Sequence, residues 1–151
     1  MRIRSADVGR FGMAFIDGKG SRFRIADIGG TMRDLSAYIT EVRGLPGERA
    51  LNDVTALGDS GARFKPGAES TAFAINGLFD DAAVLGADAI LGALRYHDSP
   101  TEFEYAPSGL AVGKVRYAGK CWVKSYEMLS RAGEPVSWRA TLQVEGAVNR
   151  V

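Results

Sequence analysis

The sequence predicts a mainly β, α+β domain with one short helix. Three observations carry this. Several segments alternate apolar and polar residues with a period of two, as a strand with one buried face must. Nineteen glycines are spread between the apolar runs rather than clustered, the distribution of turn residues in a protein of many short strands. Only one segment, residues 87–95, has an uncontested helical composition. A length of 151 residues suits a single domain with one core.

From the start, Phe11, Met13 and Phe15 recur at period two. Asp17-Gly18-Lys19-Gly20 and then Phe23 and Ile25 follow, which predicts a hairpin with a Gly-rich turn. Residues 31–43 fit two states. Leu35, Tyr38, Ile39 and Val42 have helical spacing, Thr31 and Asp34 resemble a capping box, and Gly44 would end the helix. The same stretch is β-branched and aromatic enough for a strand; a helical turn followed by an extended stretch is expected. Residues 44–67 are Gly-rich and polar without sustained periodicity, and are expected to form one long loop. Loops beyond ~12–15 residues in a compact domain tend to be functional or disordered.

Thr71, Phe73, Ile75, Gly77 and Phe79 alternate as the next strand. In residues 87–95, Ile90, Leu91 and Leu94 are good helix formers, with Asp88 near the start and Arg95 near the end, as the macrodipole favours. Residues 102–105 and 112–118 read as strands separated by Pro107-Ser108-Gly109. Residues 120–129 read as another, with Trp122, Tyr126 and Met128 on one side. Arg131-Ala132-Gly133-Glu134 is its hairpin connection to the clearest strand of all. There Val136, Trp138, Ala140, Leu142 and Val144 alternate with polar neighbours.

Composition excludes several classes. A net charge of +1 argues against a dedicated nucleic-acid binder. No apolar run approaches the ~20 residues that span a bilayer, and the charged first ten residues do not read as a secretory signal, so synthesis in the cytoplasm is expected. One cysteine, Cys121, rules out an internal disulfide framework and a multi-cysteine zinc site.

The search for chemistry yields no catalytic, cofactor or metal site. Gly58-Asp59-Ser60-Gly61 superficially resembles a serine-nucleophile neighbourhood. A triad needs a histidine oriented by a carboxylate, and the single histidine, His97, lies beside Asp98 in a loop; a tight turn is the better reading. Cys121 reads as a small core residue. Asp80-Asp81 and Asp53/Asp59 lack calcium-loop spacing, and the Gly pairs lack the glycines of a phosphate-binding loop. Trp122, Tyr126 and Trp138 have the spacing of core aromatics, with stacking on sugars or bases as the competing reading.

The run Asn52-Asp53-Val54-Thr55-Ala56-Leu57-Gly58-Asp59-Ser60-Gly61-Ala62-Arg63-Phe64-Lys65-Pro66-Gly67, with the strand that follows it, resembles siphophage-type major tail tube proteins. Asp34-Leu35-Ser36-Ala37-Tyr38-Ile39-Thr40-Glu41-Val42 and the two C-terminal strand segments add to the likeness, which covers residues 34–149. The resemblance implies two packed antiparallel sheets forming a β-sandwich or barrel with a short flanking helix. It implies homohexameric rings that stack into a tube, in a virion tail made in the bacterial host. It also implies a tape-measure protein and a tail terminator as partners, with DNA passing through without specific binding. Residues 44–67 are then the expected assembly loop, with Asn52, Asp53, Val54, Thr55, Leu57, Asp59, Arg63, Phe64 and Lys65 in inter-subunit contact. The competing readings are another virion component, such as a tail terminator or capsid decoration protein, and a small-ligand or carbohydrate-binding β-domain.

Overall fold

The computed structural model describes residues 15–81 and 86–151. Among them are nine strands and one α-helix: β1 (Arg22–Ala26), β2 (Met32–Asp34), β3 (Ile39–Arg43), β4 (Arg49–Asp53), β5 (Phe64–Glu69), β6 (Ala72–Leu78), α1 (Ala87–Leu94), β7 (Thr101–Ala106), β8 (Tyr117–Leu129) and β9 (Ser137–Arg150). The mainly β class with one short helix is what the alternation predicts. The strands form two antiparallel sheets of unequal size, one ordered β2-β1-β7-β8-β9-β6-β3 and one a β4-β5 hairpin.

The larger sheet curls on itself. Three strands separate β1 from β6, so in a flat sheet their residues would lie about 19 Å apart, four steps of roughly 4.8 Å. Yet the rings of Phe23 in β1 and Phe73 in β6 meet with centroids 5.9 Å apart, edge to face. Phe103 of β7 completes the trio, 5.0 Å from Phe73 and 6.3 Å from Phe23. The layers that face each other are thus two halves of one sheet. Its outer strands β2 and β3 are consecutive in the chain, joined only by Leu35 and the 3-10 turn Ser36–Tyr38. The Leu35 N–H donates to the Phe23 carbonyl and the Phe23 N–H to Ser36 Oγ, which ties this closure to β1.

The core is the inward stripe of β1, β6, β7, β8 and β9: Phe23 and Ile25, Phe73 and Ile75, Phe103, Cys121, then Trp138, Ala140, Leu142 and Val144, all buried. In α1, Ile90, Leu91 and Leu94 share the buried face, and Arg95 caps the C-terminus. Eight residues are too few for a helix to persist unaided, so α1 is held by that burial and by its contact with β8.

Several sequence expectations are corrected. Residues 112–118 do not form a separate strand. Val112 is fully exposed in a turn, and the strand starting at Tyr117 runs unbroken to Leu129. Trp122 and Tyr126 do not share a side, because a bulge between Val123 and Ser125 reverses the parity of β8. Trp122 therefore bonds Glu145 on the outer face, while Tyr126 packs on Trp138 inside. Thr31 and Asp34 form no capping box: Asp34 ends β2 and accepts from the Ser36 N–H. The expected helical turn followed by an extended stretch is present, shifted to Ser36–Tyr38 and β3. Residues 44–67 are not irregular throughout, since β4 and most of β5 lie within them. Phe11 and Met13, the first arm of the expected N-terminal hairpin, lie outside the described residues.

Candidate assembly surfaces

The β4-β5 hairpin brings all nine residues of the expected assembly loop onto one element. Asn52, Asp53, Val54, Thr55, Leu57, Arg63, Phe64 and Lys65 are exposed, and Asp59 is half-buried. Register pairs Leu51 with Pro66, Asn52 with Lys65 and Asp53 with Phe64. Because side chains alternate along a strand, Leu51, Asp53, Phe64 and Pro66 share one face.

The tip is stitched by its own polar groups. The Val54 N–H donates to the Arg63 carbonyl at 2.9 Å, and the Arg63 N–H to Thr55 Oγ1 at 2.9 Å. Asp59 accepts from the Ala56 N–H at 2.7 Å and pairs with Arg63 at 3.4 Å. Donation from the Thr55 side chain and backbone holds the Asp53 carboxyl below its usual range.

The base is fixed by two glycines. Gly44 (φ +107°) lies against the backbone of Ala72 and Phe73. Gly47 (φ +112°) leaves no room for a Cβ, which would fall 2.2 Å from the Thr71 hydroxyl. Beyond this base, neither hairpin strand pairs with the large sheet.

A second exposed apolar region was missed by sequence reasoning. It lies where β6 and β8 end and β9 begins. Leu78, Phe79, Met128 and Leu129 are each 37–49% exposed there, and Leu78, Met128 and Leu129 line a groove of about 510 Å³ together with polar Asn76, Glu127, Ser137 and Arg139. The sequence does carry a signal for it: at Leu78-Phe79 and Met128-Leu129 the alternation fails and two large apolar residues stand side by side. Elsewhere on the outer face, charged and polar side chains bridge neighbouring strands. Glu104 meets both Arg24 and Arg116, Glu41 accepts from Asn76, and Asn76 Oδ1 accepts from Arg139.

The catalytic candidates are not assembled into a site. Ser60 is exposed at the hairpin tip, whereas His97 closes the turn after α1, its N–H donating to the Leu94 carbonyl at 3.1 Å. Cys121 is buried, and desolvation pushes its thiol up to about 12. Asp53 and Asp59 spend their carboxylates on the hairpin tip. Among the described residues no three His, Cys, Asp or Glu side chains cluster as metal ligands would. Trp138 is buried, its indole N–H donating to the Leu78 carbonyl at 3.0 Å, so it offers no stacking platform.

No protein-family model and no curated protein matches the chain. Its three-dimensional likenesses are extensive. It is similar to a chain of the tail of an empty gene transfer agent particle of C6 symmetry, with TM-score 0.70, 18% identity and coverage of 91% of this chain and 99% of that one. The SPP1 tail tube matches with TM-score 0.72, 14% identity and coverage of 90% and 78%. A chain of the sheath/tube terminator structure of the PVC extracellular contractile injection system, in its extended state, matches with TM-score 0.66, 11% identity and coverage of 93% and 99%. The curled sheet with its flanking helix and stand-off hairpin is therefore a tail-tube fold.

Proposed function

We propose that this chain is a structural, non-enzymatic subunit of a phage or phage-derived tail tube, assembling into stacked sixfold rings that enclose a conduit for DNA. The observation that carries this reading is the end-to-end likeness to a chain of a C6-symmetric tail, with nearly all of both chains aligned. The physics of the fold agrees. Among the described residues the outer strands β2 and β3 each have one unpaired edge, a liability in a monomer but a joint in a ring whose neighbours complete the sheet. The nine hairpin residues from Asn52 to Lys65 are the proposed inter-subunit contact. A two-stranded ribbon is marginal alone in water, and its exposure makes sense if another copy covers it.

A tape-measure protein and a terminator are the further partners this reading implies, and the place of action is a virion tail. DNA passes without specific binding, as suits a net charge of +1. Among the described residues no helix is long and apolar enough to cross a membrane.

Negative-stain microscopy of the concentrated protein tests the reading: stacked rings or tubes are expected, and a protein that stays monomeric at all concentrations overturns it. The likeness to the tube-terminator structure favours one second reading, a subunit that closes a tube. That subunit would form single rings that do not stack.

A further inference from the structure

We infer that residues 11–16 of this chain cover the free edge of β3 in the lone subunit, and that a neighbouring copy displaces them. The displacement rests on the function proposed above; the covering does not.

A groove of about 600 Å³ separates β3 from the start of β1. Its floor is apolar: Phe23, Ile39, Val42 and Tyr105 line it, the last three only partly buried against the core. Exposed Thr40 and Glu41 line it as well as the inward Ile39 and Val42. One face of a strand offers one set or the other, so the groove follows the edge of β3. Among the described residues β6 is the one strand paired with β3, and the opposite row of backbone groups has no strand beside it. On the far wall, the Phe23 N–H and carbonyl are already bonded to Ser36 and Leu35. The edge open to a further strand is therefore that of β3.

The chain carries a fitting segment within reach. Gly18 and Lys19 line the same groove, and they follow Ile16 by two and three residues. Phe15 and Ile16 are adjacent large apolar residues, 83% and 57% exposed, and seating in the groove relieves that exposure for Phe15. Phe11, Met13 and Phe15 recur at period two, which as a strand gives one face of large apolar side chains. Direction agrees as well. Every pairing from β1 through β7, β8, β9 and β6 to β3 is antiparallel, so β1 and β3 run in opposite senses. A segment that turns through Gly18–Gly20 into β1 runs against β1 and hence along β3. Asp17 holds that turn by accepting from the Lys19 N–H at 2.9 Å. So short a tether sets an effective concentration on the order of millimolar, above that of any separate partner in dilute solution.

An edge strand left bare invites wrong pairings. With residues 11–16 in place the lone subunit offers no β3 edge. Ring formation then begins with the exchange of one strand for another.

Disulfide scanning in the full chain tests the inference. Phe11→Cys, Met13→Cys and Phe15→Cys are each combined with Val42→Cys and oxidised at high dilution; Cys121 is buried and does not compete. At least one pair is expected to close within a monomer, read by mass and on non-reducing gels. That locked monomer is expected to assemble only after reduction. A second variant, Phe11→Ser with Met13→Ser and Phe15→Ser, is expected to exchange its β3 amides faster and to assemble with a shorter lag. No intrachain disulfide from any pair, or unchanged β3 exchange in the triple variant, overturns the covering. Locked monomers that assemble like wild type, or a triple variant slower than wild type, overturn the displacement. A wild-type chain that never assembles overturns the proposed function, while the intrachain disulfides and β3 exchange still decide the covering.

Discussion

The Tyr126 hydroxyl donates to Asp88 Oδ1 at 2.9 Å and joins the middle of β8 to the first turn of α1. The tyrosine ring lies 6.0 Å from that of Trp138, so one side chain links the helix, the longest hairpin and the core. Burial, and then the neighbouring carboxylate, push the phenol well above its usual range. Tyr126→Phe keeps the ring and removes the bond, and should cost about 1 kcal/mol, read as a fall of a few degrees in Tm. In a spectroscopic titration, the Tyr126 phenol should ionise at higher pH in the folded protein than after unfolding.

Cys121 predicts a second pH response. Its thiol is raised from 9.0 to about 12 because the charged form has no solvent in the core. The folded state therefore retains a proton that the unfolded state loses, and stability declines as pH rises from about 9. Below that range the thiol is neutral in both states and contributes no slope. Thiol reagents should leave the folded protein unmodified and react fully in denaturant. Rapid modification of the native protein at neutral pH would contradict the burial.

Asp27 works in the opposite direction. Backbone N–H groups of Thr31 and Gly29 and the guanidinium of Arg33 hold its carboxylate below 3.8. The stabilisation is present above that value and fades as pH falls through the lowered one. Asp27→Ala should loosen the β1-β2 turn at neutral pH and remove that part of the acid sensitivity, measurable by amide exchange of Gly29 and Thr31.

Glycine at position 77 is dictated by packing. A Cβ there would sit 1.9 Å from the Tyr38 carbonyl oxygen and 2.6 Å from the Trp138 ring. Backbone is what it meets first, so no rotamer change relieves the clash. Gly77→Ala should destabilise by roughly 1–3 kcal/mol. Gly47→Ala combines a left-handed φ with contact against Thr71 and should disturb the hairpin base more than the core, as proteolysis between residues 48 and 70 would show.

Removing residues 52–65 separates folding from assembly. Neither hairpin strand pairs with the large sheet, so a short Gly-containing replacement should leave Tm within a few degrees. Under the function proposed here, the same deletion abolishes stacking. Tubes of normal length from the deleted protein would remove the hairpin from the assembly mechanism.

The strands were legible in the sequence wherever one face is buried and the other wet. Trp138, Ala140, Leu142 and Val144 show this most clearly, and Thr71 to Gly77 nearly as well. The helix was legible because Ile90, Leu91 and Leu94 sit among strong helix formers. Reading failed where parity is broken by something other than hydropathy. The bulge in β8 moves Tyr126 to the core side, and nothing in Val123-Lys124-Ser125 announces it. It failed again in β4 and β5, because a ribbon exposed on both faces has no apolar alternation to display. The candidate surface divides in the same way. The hairpin half was found through resemblance, while the groove half depends on which strand ends the topology brings together.

The order of strands in the large sheet also bears on how the chain leaves the ribosome. Its spine is β8 and β9, the last two strands in the sequence, and β1 must wait about 80 residues for its partner β7. An amino-terminal fragment can therefore pair β1 with β2, β3 with β6 and β4 with β5, but lacks the strands that join these pairs into one sheet. A chain without β8 and β9 is left as separate antiparallel pairs, with no strand to bring Phe23 of β1 against Phe73 of β6. The core of the large sheet is thus closed by the strands that come last.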